Sequence, residues 1–113
     1  MSAASDLRQP LVLEGPVYSP DGAGGMSMGW AEIGRLWAAM EPQAGSERGR
    51  DGIGLSQARY RVIVRAAPEG ASARPKPRQR FRAGERLLRI TAVQPHDAQG
   101  RFLRCTTVEE VTA

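Results

Sequence analysis

Apolar and polar residues alternate along several short stretches of this chain, which predicts β-strands. The clearest stretch spans residues 59–65, where Tyr60, Val62 and Val64 share one face and three arginines and Ile63 occupy the other. Branched residues that repeat with a period of two are typical of a half-buried strand. Further strands are predicted at residues 11–14, continued past a bulge by Val17 and Tyr18, and then at 87–93 and 101–108. The pattern therefore predicts a β-rich fold.

The segment from Asp21 to Met40 carries both tryptophans, and its periodicity is ambiguous. Trp30, Trp37 and Met40 recur at helical spacing, which indicates an amphipathic helix. Gly34 opposes a helix, because glycine inside a helix costs about 1 kcal/mol relative to alanine. A strand fits the same residues, with Trp37 on one face and Met40 on the other. The pattern alone leaves helix and strand open.

Large side chains are scarce in this chain, so the two tryptophans are expected to supply much of the core. There are only two tyrosines and two phenylalanines besides them, and a tryptophan can bury about 150–250 Å². The remaining core is assigned to the apolar faces of the predicted strands. The predicted core residues are Trp30, Trp37, Tyr60, Val62, Val64, Leu88, Ile90, Leu103 and Cys105.

Two stretches are expected to lie outside the packed domain. Residues 1–10 are predicted to form a flexible N-terminal segment, and residues 11–113 a single domain. The stretch after Met40 has four glycines, alternating charges and two large apolar residues, too few to offset the entropy lost on ordering. It is predicted to be one long mobile loop made of Gly45, Ser46, Glu47, Arg48, Gly49, Arg50, Asp51, Gly52, Ile53, Gly54 and Leu55.

Length and composition narrow the class of protein. A chain of 113 residues fits one modest domain, and 13 glycines with eight prolines favour many turns between short strands. No apolar run approaches the roughly 18 residues of a membrane span, and the first ten residues lack the apolar core of a signal peptide. The single cysteine excludes an internal disulfide and fits a reducing cytoplasm.

Charge is distributed unevenly along the chain. Residues 1–57 hold four basic and seven acidic side chains, a net charge of −3, whereas residues 58–113 hold twelve basic and five acidic ones, a net charge of +7. A basic half indicates a nucleic acid, an acidic protein neighbour or only a solvated surface. Because Phe81 is the one aromatic residue within the basic cluster at 74–89, contact with nucleic acid would be to its backbone. The residues expected to face a partner or DNA are Arg59, Arg61, Arg65, Arg78, Arg80 and Arg82.

Catalytic and metal-binding patterns are weak. His96 lies in a predicted turn and Cys105 in a predicted strand across a hairpin loop, so a Cys–His pair is a poor prediction. One histidine and one cysteine give no metal-ligand spacing. Glu109 and Glu110 are adjacent and would point to opposite faces of a strand. No enzyme activity, cofactor or metal is therefore predicted.

The order of these pieces resembles the head–tail joining, or head-closure, proteins of long-tailed bacteriophages and phage-like particles. The resemblance spans about residues 8 to 111, and its individual pieces are short. Thr106-Thr107-Val108 departs from it, because family members often have a second cysteine there. The residues that carry the resemblance are Leu13-Glu14, Asp21-Gly22, Gly24-Gly25, Trp30, Leu36-Trp37-Ala38, Pro42, Gly45-Ser46-Glu47, Val62-Ile63-Val64-Arg65, Arg80-Phe81, Gly84, Leu88-Arg89-Ile90, Asp97, Gly100-Arg101, Leu103, Cys105 and Glu109-Glu110.

The resemblance implies a fold and a role. It implies an all-β fold, a small β-barrel of five to six strands, and it favours a strand for the tryptophan segment. It implies a homo-oligomeric ring of about six or twelve subunits in the neck of a virion or phage-like particle, with the portal–adaptor complex above and the tail terminator or tail tube below. The ring would extend the channel for packaged double-stranded DNA, and the loop at 45–55 would close it.

The alanine- and arginine-rich composition is similar to the version of the family carried by gene transfer agents.

Two alternatives to this role stay open at this point. A different neck protein, an adaptor or a tail terminator, is one rival, and adaptors of this kind are largely helical. A free-standing basic nucleic-acid-binding β-domain is the other rival.

Overall fold

The computed structural model describes residues 7–43 and 58–110, and within these ranges every regular element is a β-strand. The tryptophan segment forms a strand, not a helix. This confirms the predicted all-β fold and argues against a largely helical adaptor. The six strands are β1 (Gln9–Pro20), β2 (Met26–Gln43), β3 (Arg59–Arg65), β4 (Arg80–Ala83), β5 (Arg86–Pro95) and β6 (Phe102–Glu110).

The strands close into an antiparallel barrel in the order β1-β2-β3-β6-β5-β4. The closing pair is short: β1 meets β4 only from Val12 to Glu14, opposite Arg82 to Arg80. The register of β1 against β2 shifts between Leu13 and Glu14. A bulge of this kind bends a strand and increases its twist. The extra residue is Ile33 of β2, and the bulge lies beside Glu14, where the pairing of β1 with β4 ends.

Aliphatic side chains fill the barrel, together with one phenylalanine. Val62, Val64, Leu88, Ile90, Leu103 and Cys105, all predicted as core, are buried. Residues that the sequence pattern did not single out complete the interior: Leu11, Leu13, Ala38 and Phe81.

The prediction that Trp37 is a core residue is wrong, because 61% of its surface is exposed. Along β2 the side chains of Leu36 and Ala38 point inward, so alternation turns Trp37 outward. Trp30 is only half-buried and also lies outside the core cluster. Tyr60 is half-buried but packs against the core, and the guanidinium of Arg86 lies 5.0 Å from the centre of its ring.

The β1–β2 hairpin continues beyond the barrel as a projecting ribbon. β4 pairs with β1 no further than Glu14, and β3 pairs with β2 no further than Ala38. The register of β1 with β2 nevertheless runs on to Pro20 opposite Met26. Residues 15–31, called here the β-arm, therefore form a two-stranded ribbon about 20 Å long at roughly 3.3 Å per residue.

Two sequence predictions concern segments outside the packed domain. β1 begins at Gln9, so the last two residues of the predicted N-terminal segment belong to the sheet. Residues 1–6 of that segment and the whole predicted loop at 45–55 lie outside the described residues.

Among the described residues there is no helix with the length and apolar character needed to cross a membrane.

Candidate interaction site

A polar, basic surface covers the outer side of the sheet formed by β2, β3, β6 and β5. On the outer side, Arg61 of β3 lies opposite Thr106 of β6, and Arg104 lies two pairs further along, opposite Ile63. Cross-strand diagonal neighbours lie within reach of long side chains. The residues that line this surface, called here the basic face, are Gln43, Tyr60, Arg61, Gln94, Arg104 and Thr106.

Neighbouring acceptors fix the direction of both guanidinium groups on the basic face. Arg104 donates from Nη2 to Oε1 of Gln94 at 2.8 Å. Arg61 donates from Nη2 to Oε1 of Gln43 at 3.4 Å, and its Nη1 lies 3.6 Å from Oε1 of Glu41. A guanidinium carries five N–H donors, so these contacts leave further donors for a phosphate or carboxylate.

Three other arginines predicted to face a partner lie at different places. Arg59 begins β3 and is half-buried, whereas Arg65 ends β3, is exposed and lies over the Phe102 ring at 5.6 Å. Arg78 is exposed in a turn closed by a hydrogen bond from Gln79 N–H to Lys76 C=O. Its φ of 75° is a left-handed conformation that non-glycine residues rarely adopt. The structure therefore does not bring these arginines into one patch.

Arg80 does not face a partner, and the sequence prediction for it is wrong. Its Nε donates to Oε1 of Glu14 at 2.7 Å, and only 15% of its side chain is exposed. Arg82 binds the other carboxylate oxygen at 2.9 Å and keeps 39% of its side chain exposed. The Arg80 guanidinium also stacks on Trp30 at 4.1 Å from the ring centre. These four residues, called here the root cluster, fasten the β-arm to the closing strand pair.

The root cluster sets the ionisation of Glu14. Burial of the carboxyl group acts to raise its pKa, but the hydrogen bonds and charges of Arg80 and Arg82 outweigh burial, so the pKa is lowered. A carboxylate that binds two arginines stays ionised in the folded protein. The sequence could not reveal this contact, because 66 residues separate Glu14 from Arg80.

The tip of the β-arm is fixed by one aspartate. Oδ1 of Asp21 accepts hydrogen bonds from the N–H groups of Ala23 at 2.8 Å and Gly25 at 3.0 Å. These two bonds lower the pKa of the Asp21 carboxyl group. Gly22 and Gly24 have φ near 82° and 87°, values that favour glycine. The predicted turn at 19–25 is therefore a closed hairpin tip.

One face of the β-arm is continuously apolar. Paired residues of an antiparallel ribbon point to the same side, and alternate pairs share a face. The pairs Pro16–Trp30, Tyr18–Met28 and Pro20–Met26 therefore share one face. Tyr18 is 65% exposed, Met28 52% and Met26 62%. The opposite face carries Val17, which is 48% exposed, among otherwise small residues. On this face Ser19 and Ser27 lie 3.3 Å apart through their hydroxyl oxygens.

A second apolar feature lies on the barrel wall beside the start of β1. Trp37 lies in a groove of about 340 Å³ with two arginines at its edge. Arg35 pairs with Glu32 at 3.5 Å while 78% of its side chain remains exposed. The residues that line this depression, called here the Trp37 groove, are Leu7, Arg35, Leu36, Trp37 and Arg65.

The candidate nucleophile is inert. Cys105 is fully buried, and burial raises the pKa of its thiol to about 12. A thiol that stays protonated at neutral pH is a poor nucleophile and a poor metal ligand. Among the described residues no group of three or more histidine, cysteine, aspartate or glutamate side chains could hold a metal ion.

The comparisons with known proteins agree with this architecture. The sequence model of the family described as phage head completion protein matches residues 3–110. A solved chain from the virion of a native gene transfer agent particle is similar to this one at 45% identity, with a TM-score of 0.79, over 95% of this chain and 97% of that chain. A search of curated proteins gave no match. The chain therefore belongs to the phage head completion protein family.

Proposed function

We propose that this protein is a neck component that forms a ring between the portal–adaptor complex and the tail of a phage-like particle. The single observation that carries the proposal is the match over almost the whole length of a chain from a gene transfer agent virion. At 45% identity over 95% of the chain, the two proteins share an architecture and not merely a motif. In such a ring the barrel would extend the DNA channel and give the tail a surface to bind.

The basic face supports contact with a polyanion. Arg61 and Arg104 are held by glutamine acceptors and retain donors for phosphate oxygens. Contact of this kind is to the backbone of DNA and is independent of sequence, which suits a channel that must pass any packaged genome. The acidic side chain at one end of the face, Glu41, limits its positive charge.

The segment at 45–55 is the proposed closing element of the channel. Gln43, at the end of β2, is paired with Arg59, at the start of β3. The described residues on either side of the segment therefore lie beside the basic face, and the family resemblance implies a channel-closing loop between these two strands. Glu47 and Asp51 would repel phosphates, while Arg48 and Arg50 could pair with neighbouring copies.

The proposal is tested in particles from a producer strain that lacks the native gene. Supplying the wild-type gene should restore filled, tailed particles. A deletion of residues 46–54 should give tailed particles whose heads lose DNA to added nuclease. The double variant Arg61→Ser/Arg104→Ser should retain less DNA, and Lys76→Ser serves as its control because Lys76 is an exposed cation outside both the basic face and the Trp37 groove. Normal DNA retention by the deletion variant would refute the closing role, and normal particles without the gene would refute the neck role.

A further inference from the structure

The β-arm is built to remain extended when the protein is alone. A two-stranded ribbon is marginally stable in water, yet this one is fixed at both ends. At its root, Trp30 packs under the guanidinium of Arg80 at 4.1 Å from the ring centre, and a hydrogen bond of 2.7 Å to Glu14 holds that guanidinium in place. At its other end, Asp21 closes the tip. Rigidity before binding lowers the entropy lost on association. The apolar face between those ends is therefore presented in a fixed shape.

The Trp37 groove has the complementary character. Tryptophan and arginine are the residues most enriched at energetically dominant positions of protein interfaces. Here Trp37 is 61% exposed and lines the groove together with Arg35 and Arg65. Across residues 15–31 the one charged side chain is Asp21. An apolar ribbon with an acidic tip thus matches an apolar groove with a basic edge.

We propose that the β-arm of one copy lies in the Trp37 groove of the next copy. Tyr18, Met26 and Met28 would cover Trp37, and the carboxylate of Asp21 would approach Arg35 and Arg65. Because the two surfaces differ, the contact runs head to tail, and a head-to-tail contact closes into a ring when the rotation per subunit permits it. The inference rests on the proposed ring and assigns the contact that joins its subunits.

Chemical crosslinking in assembled particles tests the direction of the contact. Ser27→Cys puts a thiol on the small face of the β-arm, and Ala39→Cys puts one two residues beyond Trp37 on the outer face of β2. The buried thiol of Cys105 should not react. With a short bis-maleimide reagent, the double variant should give a ladder of covalent multimers, and an equal mixture of the two single variants should give dimers only.

Crosslinked dimers from Ser27→Cys alone would overturn the inference, because they would indicate a symmetric contact between two arms. Particles that contain the double variant in their necks but give no ladder would also overturn it, while leaving the neck function intact. Purified particles without the protein would instead refute the proposed function. These outcomes separate the failure of the contact from the failure of the role.

Association of the purified protein gives a second readout that does not depend on particle assembly. Trp37→Ala should weaken association by about 30-fold or more, as expected for a central interface tryptophan. Asp21→Asn keeps the oxygen that closes the tip but removes the charge, so it should weaken association by less than about fivefold. Thr91→Ala, on the outer face of β5, is the control and should leave association unchanged. Equal association of wild type and Trp37→Ala, measured by sedimentation, would overturn the inference.

Discussion

Glu14 is the residue on which the junction of barrel and β-arm depends. Its carboxylate is 10% exposed and receives one arginine on each oxygen. Loss of one partner from such a network leaves the other charges poorly solvated. We therefore expect Glu14→Gln to lower the free energy of unfolding at neutral pH by about 3 kcal/mol, measured by chemical denaturation. Glu32→Gln, which removes an exposed ion pair, is the matched control and should change it by less than about 1 kcal/mol.

The pH dependence of stability gives an independent test of the same residue. The pKa of Glu14 is lower in the folded protein than in the unfolded chain, so its contribution is complete above the unfolded value and is lost as pH falls through the folded value. Between about pH 6 and pH 3 the melting temperature of wild type should fall more than that of Glu14→Gln. Parallel curves would show that Glu14 is not the stabilising carboxylate.

Cys105 reports on the integrity of the barrel. Because burial raises its thiol pKa to about 12, we expect iodoacetamide at about pH 8 to modify the folded protein only through unfolding. The modification rate should then rise with urea in parallel with the unfolded fraction. Modification at the rate of a free thiol, with an unchanged circular dichroism spectrum, would contradict the burial of Cys105.

The arginines show how far residue-level prediction could reach. The sequence gives their positive charge, and Arg61 and Arg65 lie outward as the alternation of β3 predicts. Arg80 was misassigned because its partner, Glu14, is far away in sequence and joins it only through the β1–β4 pair that closes the barrel. Without knowledge of which strand lies beside β4, the sequence does not show whether an arginine on this short strand faces solvent or a buried carboxylate.

The two tryptophans of β2 have different structural roles. Trp30 stacks under Arg80 at the root of the β-arm, whereas Trp37 is exposed on β2. We expect Trp30→Ala to reduce the free energy of unfolding by about 2 kcal/mol and Trp37→Ala by less than about 1 kcal/mol, compared by urea titration. A Trp37→Ala variant that unfolds more readily than Trp30→Ala would contradict these assignments.

The presence of the strands was easier to predict from the sequence than the residues at which they end. The alternation at residues 59–65 gave β3 with its observed bounds, because Tyr60, Val62 and Val64 face the core while arginines occupy most of the other face. The β-arm could not be predicted, because the point at which a hairpin leaves a barrel depends on where the neighbouring strands end. Here β4 ends its pairing at Glu14, and β3 reaches only Ala38.

For the whole molecule, the uneven charge of the sequence becomes a spatial arrangement. The basic face lies on β3 and β6, from the basic half of the chain, with Gln43 of β2 and Gln94 of β5 beside it. The β-arm comes from the acidic half and carries Asp21 at its tip. Membership of the head completion family makes the protein a structural component of a phage-like particle. A charge distribution of this kind fits the two proposed contacts, DNA at the basic face and a neighbouring subunit at the β-arm.

A reconstruction of the neck from purified particles by electron cryomicroscopy tests directly whether this protein forms the proposed ring. We expect a closed ring of six-stranded barrels between the portal side and the tail, with the basic face directed toward the channel. A complete neck in which no ring matches this barrel, or a location of the chain in the head shell or the tail tube, would contradict it.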